Sequence, residues 1–324
     1  MAKRAPIPPL DEFERIARFF APLAGPGALG LKDDVALIDG PSGTQYVLKT
    51  DSIVENIHFF SDDPPGRIAQ KLLRVNLSDL AAKGARPLGY LLAMALPTTR
   101  DEAWLDAFSK GLAEDQKRYR IALLGGDSDR TDGPITLTVT AIGTVDRGKA
   151  LLRRGARPGD RVYVSGTLGD AALGLAALKR ELPKLPRRHR DHLIDRYRLP
   201  QPRLDLGRRL IGIASAAMDI SDGLVADLGH LCDVSEVAAI VETTLLPLSN
   251  AARAALAANP SLIADIVGGG DDYELLFTAR SLPGRSVAKG SVAQIGRIEA
   301  GRGVTVFDAE GKRMKVEKGG FRHF

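Results

Sequence analysis

Met218-Asp219-Ile220-Ser221-Asp222-Gly223-Leu224 puts a carboxylate at the end of an apolar run, then a hydroxyl and a second carboxylate at a corner, then glycine before a new apolar segment. Residues 216–220 have strand length and residues 224–232 have helical spacing, so the stretch reads as a strand turning into a helix. A helix cap accounts for Ser221 or Asp222, but not for both together with Asp219. Outward from this corner, strands are expected at 161–164, 237–241, 274–278 and 292–297, and helices at 170–180, 203–213 and 250–258. Such alternation predicts an α+β unit with helices laid on a sheet.

The first half alternates as well. A helix at 10–20 ends in the Pro/Gly-rich 22–30, and strands at 35–38 and 46–50 flank the turn Asp39-Gly40-Pro41-Ser42-Gly43. A helix at 67–83, a strand at 88–96, a helix at 101–118 and strands at 121–124 and 135–145 follow. The polar Asp146-Arg147-Gly148-Lys149 separates the halves, giving two α+β domains, 1–148 and 149–324, with no short-period repeat. Within helix 67–83, Asn76, Asp79 and Lys83 fall on one face. Their neighbours Val75, Leu77, Leu80, Ala81 and Ala82 predict a buried helix, where an unpaired carboxylate is costly and a cation would satisfy it.

With 324 residues, 44% hydrophobic and 26% charged, the chain is expected to be globular with an ample core. The single cysteine, Cys232, excludes an internal disulfide or a Cys-rich zinc site and fits a reducing compartment. No stretch approaches the ~20 apolar residues of a membrane span, and Met1-Ala2-Lys3-Arg4-Ala5-Pro6 opens no signal-peptide core. A cytoplasmic protein without a membrane partner is expected. The net charge of +5 suits anionic small molecules as well as nucleic acid. In the basic stretch 179–198, Glu181, Asp191 and Asp195 are interspersed and aromatics are scarce, which reads as a solvated helix and not as a nucleic-acid interface.

Further acids sit where side chains can converge. Asp33-Asp34 has the look of a turn or cap, and Asp51 stands at the expected end of strand 46–50, with Glu55 and His58 behind it. Gly125-Gly126-Asp127-Ser128 closes strand 121–124, with glycines open to a phosphate and an aspartate to a metal. Gly166-Thr167-Leu168-Gly169-Asp170 has the form of an anion nest at a helix start, and Gly268-Gly269-Gly270 that of a mobile loop carrying Asp271, Asp272 and Glu274 to a ligand. Neither a Gly-x-x-x-x-Gly-Lys-Ser/Thr loop nor the Gly-rich loop with His-Arg-Asp of protein kinases is present. Isolated carboxylates in a basic chain point to magnesium and a polyphosphate.

The order and wording of these motifs resemble the thiamine-monophosphate kinase family of the AIR-synthetase-like superfamily. The likeness runs through Asp33-Asp34-Val35-Ala36, Thr50-Asp51-Ser52-Ile53-Val54-Glu55-Asn56-Ile57-His58-Phe59 and Val75-Asn76-Leu77-Ser78-Asp79-Leu80-Ala81-Ala82. It continues in Gly125-Gly126-Asp127, Ser165-Gly166-Thr167-Leu168-Gly169-Asp170, Pro202-Arg203, the 218–224 corner, Gly269-Gly270-Asp271-Asp272-Tyr273-Glu274-Leu275-Leu276-Phe277 and Gly320-Phe321-Arg322-His323-Phe324. The resemblance implies a two-domain fold whose N-terminal mixed sheet dimerises and whose C-terminal half is an α/β sandwich. It implies transfer of the γ-phosphoryl group of ATP to thiamine monophosphate by a homodimer using several magnesium ions. By motif, Asp34, Thr50, Asp51, Asp79, Asp127, Asp219 and Asp222 would ligate magnesium, with Asp219 and Asp222 catalytic. Gly125, Gly126, Arg153 and Ser221 would contact ATP, and His58, Asp271 and Phe321 would line the acceptor site.

Lys32 and Asn56 stand where that family usually has glycine, Lys49 where a hydroxyl residue is common, and Asp271 where glutamate is usual. Among relatives by fold, the selenophosphate and hydrogenase-maturation branches are expected to carry a cysteine near one terminus, a position Cys232 does not fill. The purine-pathway cyclo-ligase, aminoimidazole-ribotide synthetase, is the remaining alternative, and Asp271-Asp272-Tyr273-Glu274 argues against it.

Overall fold

The computed structural model describes residue 14, residues 16–282 and residues 292–315. The helix expected at 10–20 falls largely outside the described residues; within them lies a short π-helical turn, Ile16–Phe20. β1 (Ala36–Asp39) and β2 (Thr44–Val54) form the hairpin that the Gly/Pro link predicts. α1 (Pro65–Ala82), β3 (Arg86–Leu96), α2 (Glu102–Tyr119), β4 (Ala122–Arg130) and β5 (Thr136–Asp146) complete the first half. The sheet order is β1-β2-β5-β3-β4, with β3 and β4 its parallel pair.

Alternation along the strands sends Val47, Leu137, Val139 and Tyr90 inward against Leu72, Leu73, Leu77 and Leu80 of α1, and all eight are fully buried. The opposite face carries a ladder of hydroxyls, Thr50 to Thr140 at 3.0 Å and Ser52 to Thr138 at 2.7 Å. Two strands outrun the sequence reading. Eleven-residue β5 pairs with β2 without interruption from Thr44 to Val54, so Asp51 lies within a strand and not at its end. β4 runs on through Gly125 and Gly126 to Arg130 along β3. Gly126 is needed for that approach, because a Cβ there would lie 1.8 Å from the Leu92 carbonyl oxygen.

The second half runs β6 (Arg161–Ser165), α3 (Asp170–Leu178), α4 (Arg187–Arg198), α5 (Leu204–Leu210), β7 (Ala216–Asp219) and α6 (Leu224–Ser235). Then come β8 (Ala238–Glu242), α7 (Asn250–Ala258), α8 (Ile263–Gly268), β9 (Leu275–Ala279), β10 (Val292–Glu299) and β11 (Gly303–Phe307). The six-stranded order is β11-β8-β10-β6-β9-β7. α8 and β11, of six and five residues, are not among the elements the sequence reading expected. α4 is not a freely solvated helix, since Leu193, Arg196 and Tyr197 are buried. The two sheets meet at the C-terminal end of α1, where Ala81 and Ala82 pack with Leu210, Ala217 and Phe277. Gly207 makes this possible, as a Cβ there would come within 1.8 Å of the Ala81 carbonyl oxygen.

Candidate active site

The face of α1 that looks between the sheets carries the polar residues the helical spacing aligned. Asn76 accepts from the backbone N–H of Asp51 at 3.1 Å and donates to the Leu72 carbonyl at 3.0 Å. One turn on, Asp79 meets Lys49 at 3.1 Å, and Lys49 also reaches Asp51 at 3.3 Å. Lys83, fully buried, holds Asp34 at 2.5 Å and Asp33 at 2.7 Å. Arg153 binds Asp34 through both Nε and Nη2, and its backbone N–H donates to Asp33 at 2.9 Å. Asp219 ends β7 beside them. Asp34, Asp79 and Asp219 each offer an oxygen within 4.8 Å of the others, the one such grouping of possible metal ligands among the described residues.

Five carboxylates, Asp33, Asp34, Asp51, Asp79 and Asp219, thus face three cations, Lys49, Lys83 and Arg153. Burial pushes Asp34 up, but Lys83 and Arg153 outweigh it and hold this carboxyl well below the usual range. Asp219 goes the other way, raised to about 6 by burial and then by Asp34, against Ser78, Lys49 and Lys83. Asp79 is pushed well above its ordinary value by burial, which Lys49 opposes and Asp219 and Asp51 reinforce. Burial would strip Lys49 of its proton, but Asp79, Asp51, Asp34 and Asp219 keep it charged. The site has more negative charge than its own side chains compensate.

At the corner after β7, the Asp227 carboxylate accepts from the backbone N–H groups of Ser221 and Asp222 at 3.0 Å each and of Gly223 at 3.1 Å. That grip from the first turn of α6 fixes where Ser221 and Asp222 point. Sequence reasoning missed Asp227; its signal was a carboxylate at the fourth helical position, where it can fold back over the helix start. Burial, then Asp222 and Asp219, raise its pKa well above the ordinary value.

Two expectations about glycine loops are corrected. The nest at 166–170 is filled by the chain itself: Asp272 accepts from Gly169 N–H at 2.7 Å and Ala171 N–H at 3.3 Å, leaving those amides no external anion. The triple glycine is a close-packed crossing and no mobile loop. A Cβ on Gly269 would lie 2.5 Å from the Asp265 carbonyl oxygen, and one on Gly270 would lie 2.1 Å from that of Ser221. Asp271 N–H then donates to Ser221 O and Tyr273 N–H to Ile220 O, both at 2.8 Å, which locks 271–274 onto the corner after β7.

Asp271 has left-handed backbone, φ 68°, and pairs with Lys71 at 3.1 Å. Lys71 also donates to the His58 carbonyl at 2.8 Å and lies over the Tyr197 ring at 3.7 Å, and the Tyr197 hydroxyl donates to that same carbonyl at 3.1 Å. His58 Nδ1 accepts from Val54 N–H at 3.0 Å, which leaves its Nε2 as the ring's proton-bearing nitrogen. His58 and Asp271 are thereby tied together through Lys71, a residue the sequence did not single out. Beneath them, fully buried Glu274 receives Arg196 at 2.9 Å, Arg203 through Nε at 2.6 Å and through Nη2, and Ser165 Oγ at 2.5 Å.

Four of the expected site residues lie elsewhere in the sheet. Thr50 is on the face opposite Asp51, its hydroxyl bonded to Thr140 and to the Val139 carbonyl. Asp127 shares that outer face on edge strand β4, three strands from β2, or roughly 14 Å at the usual strand spacing. Gly125 precedes it on the same strand, exposed like all nine residues of β4. Gly126 faces Leu92. Phe321 lies outside the described residues.

Residues 32–145 match the family described as AIR synthase related protein, N-terminal domain, and residues 157–310 match its C-terminal domain. The chain is 39% identical to the thiamine-monophosphate kinase of Caulobacter vibrioides over 99% of its own length and 93% of that protein. It is also 39% identical to the enzyme of that name from Escherichia coli K12, over 97% of this chain and 98% of that one. A solved structure titled "AaThiL complexed with AMPPCP and TMP" superposes with a TM-score of 0.87 at 32% identity, covering 100% of both chains.

Proposed function

The chain belongs to the thiamine-monophosphate kinase family, and from that membership we propose that it transfers the γ-phosphoryl group of ATP to thiamine monophosphate, releasing thiamine diphosphate and ADP. The observation that carries the reading is the trio Asp34, Asp79 and Asp219, whose oxygens converge within 4.8 Å of one another inside a group of five carboxylates that three cations face. Oxygen donors alone, with two carboxyls raised first by burial and then by their acidic neighbours, are a donor set suited to a hard divalent cation. Asp34, Asp79 and Asp219 would hold magnesium, with Asp51 and Asp222 at the margin of the site. When bound, magnesium supplies neutralisation of the phosphate oxygens.

The chain's own groups do the rest by position. The attacking atom is a phosphate oxygen, already anionic, so no strong general base is required and catalysis is mostly alignment and charge balance. Lys49, Lys83 and Arg153 fix the carboxylates so that they do not collapse toward or away from one another. Arg153 and Ser221 are proposed contacts for ATP, Ser221 held in place by Asp227. His58, Asp271 and Phe321 are proposed for the acceptor, where the Asp271 carboxylate suits the cationic ring of thiamine.

A homodimer is part of this reading. Edge strand β4 is open along its length, and Leu88, Leu91 and Leu123 on β3 and β4 are 50%, 42% and 47% exposed, which supports cover by a second copy. Thr50, Gly125 and Asp127 would then serve phosphate or metal where copies meet. We also propose the division at 148/149, between β5 and β6, and a cytoplasmic location; no helix among the described residues is long and apolar enough to cross a membrane.

The test is product analysis of the purified protein with ATP, Mg²⁺ and thiamine monophosphate, beside a no-acceptor reaction, the aminoimidazole-ribotide precursor and an Asp219→Ala variant. Thiamine diphosphate formed one-for-one with ADP, and lost in the variant, is expected. ADP formed only with the purine precursor would replace the reading with the cyclo-ligase.

A further inference from the structure

A cavity of about 770 Å³ opens where α5 meets the start of β3 and the end of α2. It is lined by six arginines, Arg86, Arg118, Arg120, Arg203, Arg208 and Arg209, against one carboxylate, Asp205. None of the residues of the acidic trio, of the 219–223 corner or of the His58 and Asp271 group lines it. Asp79 looks away from it: α5 packs on Ala81 through Gly207, and Ala81 stands about 200° around α1 from Asp79.

The guanidinium groups differ in how far they are spoken for. Arg203 is clamped on Glu274, and Arg208 pairs with Asp205. Arg118 lies over the Tyr119 ring at 5.3 Å, and Arg74 approaches the same ring at 5.7 Å. Arg86, Arg120 and Arg209 have no side-chain hydrogen bond or ion pair among the described residues. Like charges brought to the wall of one cavity repel, and an anion held between them relieves that repulsion. Planar forks from three elements are the arrangement that recognises phosphate oxygens by paired hydrogen bonds.

We propose that this cavity is a second anion site, separate from the acidic centre, that takes a small polyphosphate, a di- or triphosphate group. The volume is that of a small-molecule site. A nucleic-acid strand would need exposed aromatic platforms, whereas the lining offers the single ring of Tyr119, already in contact with two arginines. Arg203 gives the site a fixed wall, since its guanidinium is held by the buried Glu274.

The proposal does not depend on the kinase reading, because its test uses neither ATP, thiamine monophosphate nor magnesium. Inorganic tripolyphosphate is titrated calorimetrically into the full chain in EDTA. One site per chain is expected, weakened roughly tenfold or more by combined Arg86→Ala, Arg120→Ala and Arg209→Ala substitutions and retained in Asp79→Asn. These three arginines are exposed, so the melting temperature should hold; Arg209→Glu alone, reversing one charge, provides a milder second variant with the same expected direction. Undiminished binding in both arginine variants, or loss in Asp79→Asn with the arginines intact, would overturn the site. Binding of a single-stranded RNA with the same arginine dependence, and none of tripolyphosphate, would overturn the small-anion assignment.

Discussion

Asp219, the last residue of β7, and Glu274, the residue just before β9, are buried carboxylates brought close by the pairing of Asp219 with Leu275, yet they have opposite electrostatic fates. Glu274 is saturated by two arginines and the Ser165 hydroxyl, so nothing in its surroundings asks for another cation. Asp219 shares its space with Asp34 and Asp79 and is pushed up to about 6, burial first and Asp34 next. Burial of an acid therefore does not by itself mark a functional site; unbalanced charge among its neighbours does. Glu274 acts as a strut between α4, Arg203 and the end of β6, while Asp219 belongs to a centre in which five carboxylates face three cations.

Removing one charge from each cluster separates the two roles. Asp219→Asn is expected to lower the rate of phosphoryl transfer by roughly two to three orders of magnitude, while leaving the thermal midpoint unchanged or higher, because repulsion with Asp34 and Asp79 is relieved. Steady-state assays and calorimetry on the same preparation check both halves. A variant that loses stability in step with activity would erase the contrast with Glu274.

Glu274→Gln should show the converse. It leaves Arg196 and Arg203 without their shared carboxylate, and breaking such a buried pair costs about 3–5 kcal/mol. Denaturant unfolding should record that loss, and activity should fall only as folded protein is lost. The variant retaining full stability would mean that the arginines find water or another acid, and that the saturated cluster is less closed than its contacts indicate.

How far these clusters could be read from the sequence follows the range of their contacts. The shared face of Asn76, Asp79 and Lys83 was visible because helical spacing is local, and the strand-to-helix corner at 218–224 was visible because strand, turn and helix are contiguous. The partners of Glu274 lie 71 and 78 residues away, and Lys71 pairs with Asp271 across 200 residues, so neither could be seen. Glycines misled in both directions. Those at 126, 269 and 270 looked like turn or loop residues but serve close backbone approach, a property of the neighbouring chain segment. Asp272 filling the amides at 169 and 171 is another long-range event, and it removed an anion site that local pattern predicted.

Asp272 lies between the two extremes: buried, partnered by backbone amides, and without an ion pair among the described residues. Burial raises it to about 8, against the pull of the Gly169 and Ala171 N–H groups. The unfolded chain releases this proton near pH 4, while the fold keeps it until about 8. Across that window the folded state binds the extra proton, so stability falls as pH rises, by at most about 1.4 kcal/mol per unit. Asp272→Asn, which cannot titrate, should reduce the slope of unfolding free energy against pH between 4 and 8. An unchanged slope would show that the amides keep this carboxylate ionised and place Asp272 with Glu274, saturated by its neighbours.

The smallest effect is expected where charge has no part, in the turn that carries His58. Asn56 sits at φ 64° with its N–H donating to the Phe59 carbonyl at 2.7 Å, while His58 N–H returns to Val54 O at 2.9 Å. Asparagine tolerates this left-handed backbone and alanine does not, so Asn56→Ala should cost about 1 kcal/mol through strain alone. Asn56→Gly relieves the strain but frees the unfolded chain, two opposed contributions that leave stability within about 0.5 kcal/mol of the parent. Paired denaturant midpoints for the two variants settle the sign. If glycine proved as harmful as alanine, the Asn56 side chain itself would be holding the turn, and the positioning of His58 would rest on a side-chain contact instead of on backbone geometry.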